Sequence, residues 1–215
     1  LIGISSAQTT SPNFKVAIIG DQGLGTNAVA VLNLIKNESV QMVLHQGDFE
    51  YTNNPTAWDN QISNILGADF PYFASIGNHD VKTWSGPEGY QQKLYQRLNK
   101  TPGANCTGDL GVKATCTYQG LFVILSGAGT MGSGHDTYIK NELANDSHVW
   151  RICSWHKNMN QMQVGTKGND TGWAVYETCQ EEGAIILTGH EHSYERTKTL
   201  INVSNQTVDP TWSDP

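Results

Sequence analysis

Several features are scarce or absent in this sequence of 215 residues, and each absence narrows the class of protein. Charged side chains make up only 15% of the chain, and 13 Lys and Arg face 20 Asp and Glu. The resulting net charge of -7 argues against a nucleic-acid or anionic-membrane partner. No run approaches the roughly 18 apolar residues that a membrane-spanning helix needs. The length is that of one domain with a large core.

Cysteine is also scarce, and the four cysteines do not have the spacing of a zinc finger. Cys106 and Cys116 flank a glycine-rich, turn-like stretch, so a disulfide between them is the first expectation. Cys153 lies on a predicted buried strand and Cys179 on a predicted helix. These two either pair or remain as two buried thiols.

The polar composition, rich in Gly, Asn, Ser and Thr, is typical of a loop-rich extracellular protein. Sequons for N-glycosylation favour a secreted glycoprotein, although chance produces some in an Asn-rich chain. The candidate asparagines are Asn37, Asn99, Asn105, Asn145, Asn169, Asn202 and Asn205. The chain has no initiating Met, and residues 1–11 are interpreted as an N-terminal extension or the remnant of a signal peptide, or simply as an arbitrary boundary.

Short apolar runs alternate with amphipathic helical segments along the chain, which predicts an α/β fold with a largely parallel sheet. The predicted strands cover residues 14–19, 40–44, 72–76, 121–125, 150–155 and 184–188. In such sheets, ligands bind beyond the carboxyl ends of the strands. The polar residues that follow these strands are therefore the candidates for a functional site.

The central candidate is the stretch 47–51, where Gly47 lets the backbone turn after a strand and Asp48 follows. A Gly-Asp pair alone indicates only a turn, but four further strand ends carry possible metal ligands. The full set is Asp21, Asp48, Tyr51, Asn78, His79, His156, His190 and His192. Oxygen and nitrogen ligands without thiolate suit iron, manganese or zinc. The set exceeds the needs of one tetrahedral ion, so we expect two ions, about 3.5–4 Å apart, as in phosphate-ester hydrolysis.

The motifs Asp-x-Gly, Gly-Asp-x-x-Tyr, Gly-Asn-His-Asp, a lone strand-end His and Gly-His-x-His occur in this order between Asp21 and Arg196. In this order they resemble the calcineurin-like metallophosphoesterases. Gly23 stands where other branches of that family have a histidine, and Tyr51 is placed to supply the missing ligand. This version resembles the purple acid phosphatase branch. The resemblance implies a layered αββα sandwich with mixed, largely parallel sheets.

The resemblance also implies a ligand set for each of two metal ions. The first ion would be held by Asp21, Asp48, Tyr51 and His192. The second would be held by Asn78, His156 and His190, with Asp48 bridging the two. A phenolate ligand implies Fe(III) at the first position, with a visible charge-transfer colour, and the second ion would be Fe(II), Zn or Mn.

The remaining candidates concern the substrate. Beside Asn78, His79 would hydrogen-bond the phosphate or protonate the leaving group, with Asp80 either orienting it or acting as a turn residue. The loop after His156 lacks the histidines that the family often carries there, and Lys157 either replaces them or is a solvated lysine. Arg196 either contacts phosphate or pairs with a carboxylate, and the structural role is favoured.

The leading hypothesis is a secreted phosphatase that hydrolyses phosphomonoesters by in-line attack of a metal-bound hydroxide, without a covalent intermediate. The alternatives are a phosphodiesterase or nucleotidase of the same superfamily and, from another class, a non-catalytic secreted binding protein on this scaffold. Residues 12–200 are assigned to the catalytic domain, and residues 201–215 to an incomplete C-terminal tail because this fold usually adds further strands. The expected partner is a small phosphorylated substrate.

Overall fold

The structure is a computed structural model that describes residues 14–212. Its helices and strands alternate through most of the chain, as the sequence predicts. In chain order they are β1 (Val16–Ile19), α1 (Thr26–Asn37), β2 (Met42–His45), α2 (Pro55–Ile65), β3 (Tyr72–Ala74), α3 (Tyr90–Leu98), β4 (Asn105–Asp109), β5 (Lys113–Tyr118), β6 (Leu121–Ser126), α4 (His135–Ala144), β7 (Trp150–Ser154), α5 (Ala174–Glu181), β8 (Ile185–Leu187), β9 (Leu200–Asn202) and β10 (Thr207–Val208). Short 3₁₀ helices lie at Val81–Thr83 and Asn160–Met162.

The first sheet consists of β1, β2 and β3, and its strands are parallel throughout. Their last residues are in register, since Ile19 pairs with His45 and His45 pairs with Ala74. Because parallel strands in register end at one edge, the segments that follow them emerge side by side. This register brings together the segments that carry Asp21 and Asp48.

The second sheet has the order β4-β5-β6-β7-β8, with antiparallel pairing from β4 to β6 and parallel pairing from β6 to β8. Ser154, at the end of β7, is in register with Leu187, at the end of β8. His156 and His190 follow these two positions within three residues, so the second sheet presents its two histidines at neighbouring strand ends.

Successive side chains of β6 alternate between two cores, as expected for a strand that is buried on both faces. Val123 and Leu125 belong to a core that includes residues of β2 and β3 and of the first three helices. Phe122 and Ile124 belong to a core with residues of α4 and α5. The layers therefore run helix, sheet, sheet, helix, which confirms the predicted αββα sandwich. Among residues 14–212, no helix is both long enough and apolar enough to cross a membrane.

Two disulfides connect the four cysteines. Cys106 and Cys116 face each other across β4 and β5 and are bonded, which confirms the predicted local bridge. Cys153 on β7 is bonded to Cys179 on α5, so of the two alternatives left open by the sequence the structure contains the disulfide. This second bridge ties a strand of the second sheet to the helix that covers it, and closing a loop in this way stabilises the folded state.

After β8 the chain forms an antiparallel hairpin of β9 and β10, which the sequence analysis did not predict. Asn202 shapes its turn, because its side-chain oxygen accepts hydrogen bonds from the Ser204 hydroxyl (3.1 Å) and the Asn205 N–H (3.0 Å). Val203 packs into the core of α4 and α5. Part of the predicted tail 201–215 therefore has regular structure. Its last residues, 213–215, and the predicted extension 1–11 lie outside the described residues.

Candidate metal centre

Hydrogen bonds join the two sheets at the ends of their strands. The Ser75 hydroxyl donates to the Ser154 carbonyl (2.8 Å), and the His190 N–H donates to Asp21 Oδ2 (2.8 Å). His156 Nδ1 lies 2.8 Å from the Gln46 carbonyl. Since a carbonyl oxygen can only accept, His156 Nδ1 donates to it, so in the neutral imidazole the free lone pair is on Nε2. A histidine oriented in this way is prepared to bind a cation.

The first group of predicted ligands consists of Tyr51, Asp21 and His192. The His192 Nε2 atom lies 3.3 Å from the Tyr51 hydroxyl oxygen and 3.2 Å from Asp21 Oδ1. Asp21 Oδ1 is buried and accepts no hydrogen bond from any of the described residues 14–212. A buried carboxylate oxygen without a donor is costly, and a cation among these three groups would remove that cost.

The second group consists of Asp48, Asn78, His156 and His190. The His156 Nε2 atom lies at its centre, 3.3 Å from Asp48 Oδ2, 3.1 Å from Asn78 Oδ1 and 3.0 Å from His190 Nδ1. Atoms of Asp48, His156 and His190 that could bind a metal all lie within 4.8 Å of one another. The donor set is carboxylate, imidazole and amide, which fits a divalent first-row metal.

Asp48 has the buried position that a bridging carboxylate requires. One of its oxygens, Oδ2, faces His156, and the other, Oδ1, accepts a hydrogen bond from the His79 N–H (2.9 Å). Its charge also influences Asp21 and Tyr51 in the first group. The oxygen and nitrogen donors of each group are of the kind that binds such cations.

Four of the predicted ligands have a backbone conformation that non-glycine residues seldom adopt. The φ values in this left-handed region belong to Asp21 (51°), Asp48 (58°), His190 (75°) and His192 (57°). Each such residue costs of order 1–3 kcal/mol, and such residues cluster at functional sites. The rest of the fold holds these ligands in place despite this local strain.

Gly23 explains how Tyr51 enters the first group. A Cβ added to Gly23 would lie 3.8 Å from the Tyr51 ring, in ordinary van der Waals contact, so a longer side chain there would compete with the ring for space. The φ of Gly23 is 70°, which also favours glycine. Glycine at this position thus leaves room for the tyrosine ring.

Burial and the crowding of like charges control the protonation of the ligands. Burial, aided by the carboxylates of Asp21 and Asp48, raises the pKa of Tyr51. Burial lowers the pKa of His190 to about 4, and the neighbouring His156 acts in the same direction. Burial would lower the pKa of His156, but the adjacent Asp48 carboxylate raises it overall. A phenolate at Tyr51 therefore needs a nearby cation to stabilise it.

The Asp80 carboxylate faces backbone N–H groups in the interior, whereas the His79 side chain faces the surface. Asp80 is buried, and its oxygens accept hydrogen bonds from the N–H groups of Asp48 (2.9 Å), Phe49 (2.9 Å) and Gly77 (2.7 Å). Burial raises the pKa of Asp80 to about 7, against these hydrogen bonds. Asp80 thus joins the two ligand-bearing loops. His79 is exposed, with its ring centroid 4.8 Å from that of Tyr51.

Lys157 lies close to the second group of ligands. Two further residues near this group, Asp170 and Lys167, were not among the candidates from the sequence. Lys157 Nζ is 3.5 Å from Asp170 Oδ1, and Asp170 Oδ2 is 3.9 Å from His190 Nε2. Lys167 Nζ donates a hydrogen bond to the His190 carbonyl. Asp170 and Lys167 belong to the long polar loop after His156, and the length of a loop that follows a candidate ligand was the available signal.

Arg196 is exposed. It lines a cleft of about 1040 Å³ together with Asp21 and His192. The cleft runs between the edge strands β1 and β8, and Ile18 and Ile185 contribute apolar surface to it. The position of Arg196 is compatible with a contact to an anion near His192.

Comparison with known proteins agrees with this geometry. The family model described as calcineurin-like phosphoesterase matches residues 14–194, which include every predicted ligand. The chain belongs to the calcineurin-like phosphoesterase family. Members of this family are metal-dependent enzymes, and the centre described above lies where its sequence motifs fall.

Similarity to individual proteins points to one branch of the calcineurin-like phosphoesterases. The chain is 22% identical over 214 residues to purple acid phosphatase 21 of Arabidopsis thaliana and 24% identical over 213 residues to purple acid phosphatase 22 of the same plant. Each match covers 92% of this chain but only 48% and 49% of the relatives, so the chain spans about half their length.

A solved structure shows the same fold. A purple acid phosphatase isolated from yellow lupin (Lupinus luteus) seeds superposes with a TM-score of 0.60 at 18% sequence identity. The superposition covers 88% of this chain and 40% of the lupin protein.

The stability of this calcineurin-like phosphoesterase should fall in mild acid because of His45. His45 is fully buried, its Nδ1 accepts a hydrogen bond from the Gly47 N–H (3.0 Å), and protonation would remove that acceptor. Burial lowers the pKa of His45 from 6.5 to about 3. Between these values the unfolded chain binds a proton that the folded chain does not, so the free energy of unfolding decreases as pH falls.

The comparison of metal-free wild type with His45→Asn tests this prediction, because Asn keeps an acceptor but does not titrate. From pH 6.5 to pH 5, wild type should lose about 2 kcal/mol of stability relative to the variant. Urea unfolding at each pH gives the difference. Parallel curves for the two proteins would contradict the role of His45.

Proposed function

We propose that this chain is the catalytic part of a secreted, dinuclear-metal phosphatase that hydrolyses phosphomonoesters. The observation that carries the proposal is the convergence of side chains from five separate strand ends into two adjoining groups of ligands. Family membership supports phosphoric-ester hydrolysis in general. Three parts of the proposal go beyond family membership: the preference for monoesters, the presence of two metal ions and secretion.

Each group of ligands would hold one ion. The first would be held by Asp21, Tyr51 and His192, the second by Asn78, His156 and His190, and Asp48 would be shared. When bound, the ions supply Lewis acidity, neutralise charge on phosphorus and lower the pKa of water. The phenolate of Tyr51 favours Fe(III) in the first group. The second group suits Fe(II), Zn or Mn.

The residues of the chain then have separate tasks. Asp48 sets the spacing of the two groups, and His156 is held by the Gln46 carbonyl so that Nε2 points to the centre. His79 is exposed beside Tyr51, on the open side of the site, where it would donate a hydrogen bond to the phosphate or a proton to the leaving oxygen. We propose no phosphorylated side chain.

The electrostatics around the second group support an anionic substrate. Lys157 and Lys167 both lie near enough to His190 to lower its pKa, after the larger effects of burial and His156. Two cationic groups at the rim would attract a monoester dianion more strongly than a diester monoanion. Asn78 and Arg196 are further candidates for phosphate contacts.

Secretion is supported by two features of the described residues. Both cysteine pairs are disulfides, which persist in oxidising compartments. All seven sequon asparagines are exposed, as attachment of a glycan requires. Expression in a secretory host, followed by mass spectrometry before and after enzymatic removal of glycans, identifies the occupied positions.

The function is tested by metal analysis together with a substrate pair. We expect two metal ions per chain and faster hydrolysis of p-nitrophenyl phosphate than of bis(p-nitrophenyl) phosphate. A preference for the bis ester would favour a phosphodiesterase instead. Metal binding without turnover of either ester, or of nucleotides, would favour a non-catalytic binding protein.

Tyr51→Phe should remove the visible absorption band of the iron-loaded protein, because among the proposed ligands only the Tyr51 phenolate gives a visible charge-transfer band with Fe(III). Binding of the second ion should persist, since Tyr51 belongs to the first group. Tyr194→Phe is the matched control, because Tyr194 is 90% exposed and should leave the band unchanged. A coloured Tyr51→Phe protein would refute the assignment of this ligand.

A further inference from the structure

Glu50 is an acidic residue that the proposed function does not use, and it directly precedes Tyr51. It is fully buried, a position in which a carboxylate is seldom found without partners. Its oxygens accept hydrogen bonds from the Thr52 N–H (2.5 Å), the Thr52 hydroxyl (2.6 Å) and the Asn54 N–H (2.5 Å). The Tyr90 hydroxyl donates a fourth.

These bonds close the turn 50–54 around the carboxylate. Asn53, inside the turn, has a φ of 58°, and Asn54 caps α2 by accepting from the Ala57 N–H (3.0 Å). Tyr90 belongs to α3, so the carboxylate connects the turn to two helices. The backbone of Tyr51 lies inside this closed ring of hydrogen bonds, and its direction follows from them.

The ring of Tyr51 lies beside the rings of His79 and His192, but no packed core formed by residues 14–212 encloses it. The residue is 40% exposed, so packing alone does not determine how its side chain leaves the backbone. Its hydroxyl nevertheless lies 3.3 Å from His192 Nε2, as a shared ligand site requires. The turn, rather than a packed core, must therefore aim the phenol.

We infer that Glu50 is a positioning residue that holds the Tyr51 phenol in the first group of ligands by closing the turn 50–54. The inference rests on the proposed function, because aiming Tyr51 matters only if it is a ligand. Glu50→Gln tests it with minimal change of shape. A carboxylate offers only acceptors, whereas the amide nitrogen of Gln would face an N–H donor of Thr52 or Asn54, and the turn would loosen.

The decisive measurement uses metal-free protein labelled with 3-fluorotyrosine. Tyr51→Phe identifies the ¹⁹F resonance of Tyr51. We expect Glu50→Gln to shift or broaden that resonance. Asp59→Asn is the control, since it disturbs a different carboxylate, which is partly buried and bonded to Arg97, and should leave the Tyr51 resonance in place. An unmoved Tyr51 resonance in folded Glu50→Gln protein would overturn the inference.

If Glu50→Gln does not fold, Thr52→Val carries the same test, because it removes one donor to Glu50 from an exposed residue while nearly preserving shape. A displaced Tyr51 resonance supports the inference and an unmoved one overturns it. After iron loading, Glu50→Gln should have a weaker or shifted visible band and about 10- to 100-fold lower activity. A colourless wild type would refute the iron–tyrosine assignment, while the ¹⁹F result would still decide how the ring is held.

Discussion

Asp48→Asn should lower kcat/KM for p-nitrophenyl phosphate by about 10³-fold or more. In the proposed centre the Asp48 carboxylate would supply one ligand to each group, and its loss would weaken both. Charge stabilisation by bound metal amounts to several kcal/mol, and about 4 kcal/mol corresponds to 10³ in rate. The measurement is kcat/KM together with metal content after reconstitution.

The substitution is well suited to this test because the fold should tolerate it. Asp48 has a φ of 58°, a conformation that Asn also accepts, and the Asn oxygen can keep the hydrogen bond from the His79 N–H. The melting temperature of the metal-free variant should therefore stay close to that of wild type. Asp69→Asn, at an exposed carboxylate remote from the centre, should change neither activity nor metal content. Wild-type turnover by Asp48→Asn would exclude a shared ligand.

Gly77→Ala should separate the two ligand loops of the first sheet and disrupt the centre. A Cβ at Gly77 would lie 2.1 Å from the Asp48 nitrogen and 2.2 Å from Asp48 Oδ1. Such distances are impossible, and the neighbouring atoms belong to backbone and to a ligand, so the loops must move. A displacement of about 1 Å can cost 10²-fold in rate. We expect a loss of stability of about 3 kcal/mol or more and failure to bind two metal ions.

Gly168→Ala is the matched control for this prediction. It lies in an exposed part of the loop after His156, where a Cβ would meet no atom within 4 Å. This variant should therefore keep the wild-type melting temperature and metal content. Gly47→Ala should behave like Gly77→Ala, because its Cβ would lie 2.5 Å from the Gly77 nitrogen at a φ of 92°. If Gly77→Ala kept full metal content, metal binding would not depend on the close approach between Gly77 and the segment of Gly47 and Asp48.

The candidate ligands could be selected from the sequence because their residue types bind metals and because each of them follows the end of a predicted strand. An apolar run followed by a polar residue, as before Asp48 and His156, is a local pattern that can be recognised without knowledge of the fold. The family resemblance then assigned the candidate ligands to two groups. The α/β class followed from the alternation of strands and helices, whereas the layered sandwich came from the family resemblance. The local pairing of Cys106 with Cys116 followed from a turn between them.

Other features could not be derived from local patterns. The β9–β10 hairpin is stabilised by Val203 in a distant core, and nothing in its short strands indicates this. For Asp80 the sequence left open an orienting partner of His79 or a turn residue, and the tertiary fold turns its carboxylate toward the backbone of the other loop. Asp170 reaches His190 only because the long loop folds back over the second sheet.

By itself, the sequence determined the class of chemistry, metal-dependent hydrolysis of phosphoric esters, because the types of the candidate ligands and their positions after strands are local properties of the chain. Only the tertiary structure decided how those groups are held. The register of β1, β2 and β3, the buried bonds of Asp80 and the closed turn around Glu50 depend on contacts between segments far apart in sequence or on the burial of polar groups. Such contacts become favourable only when the sheets and helices have already packed, since each one must offset the entropy of ordering its partners.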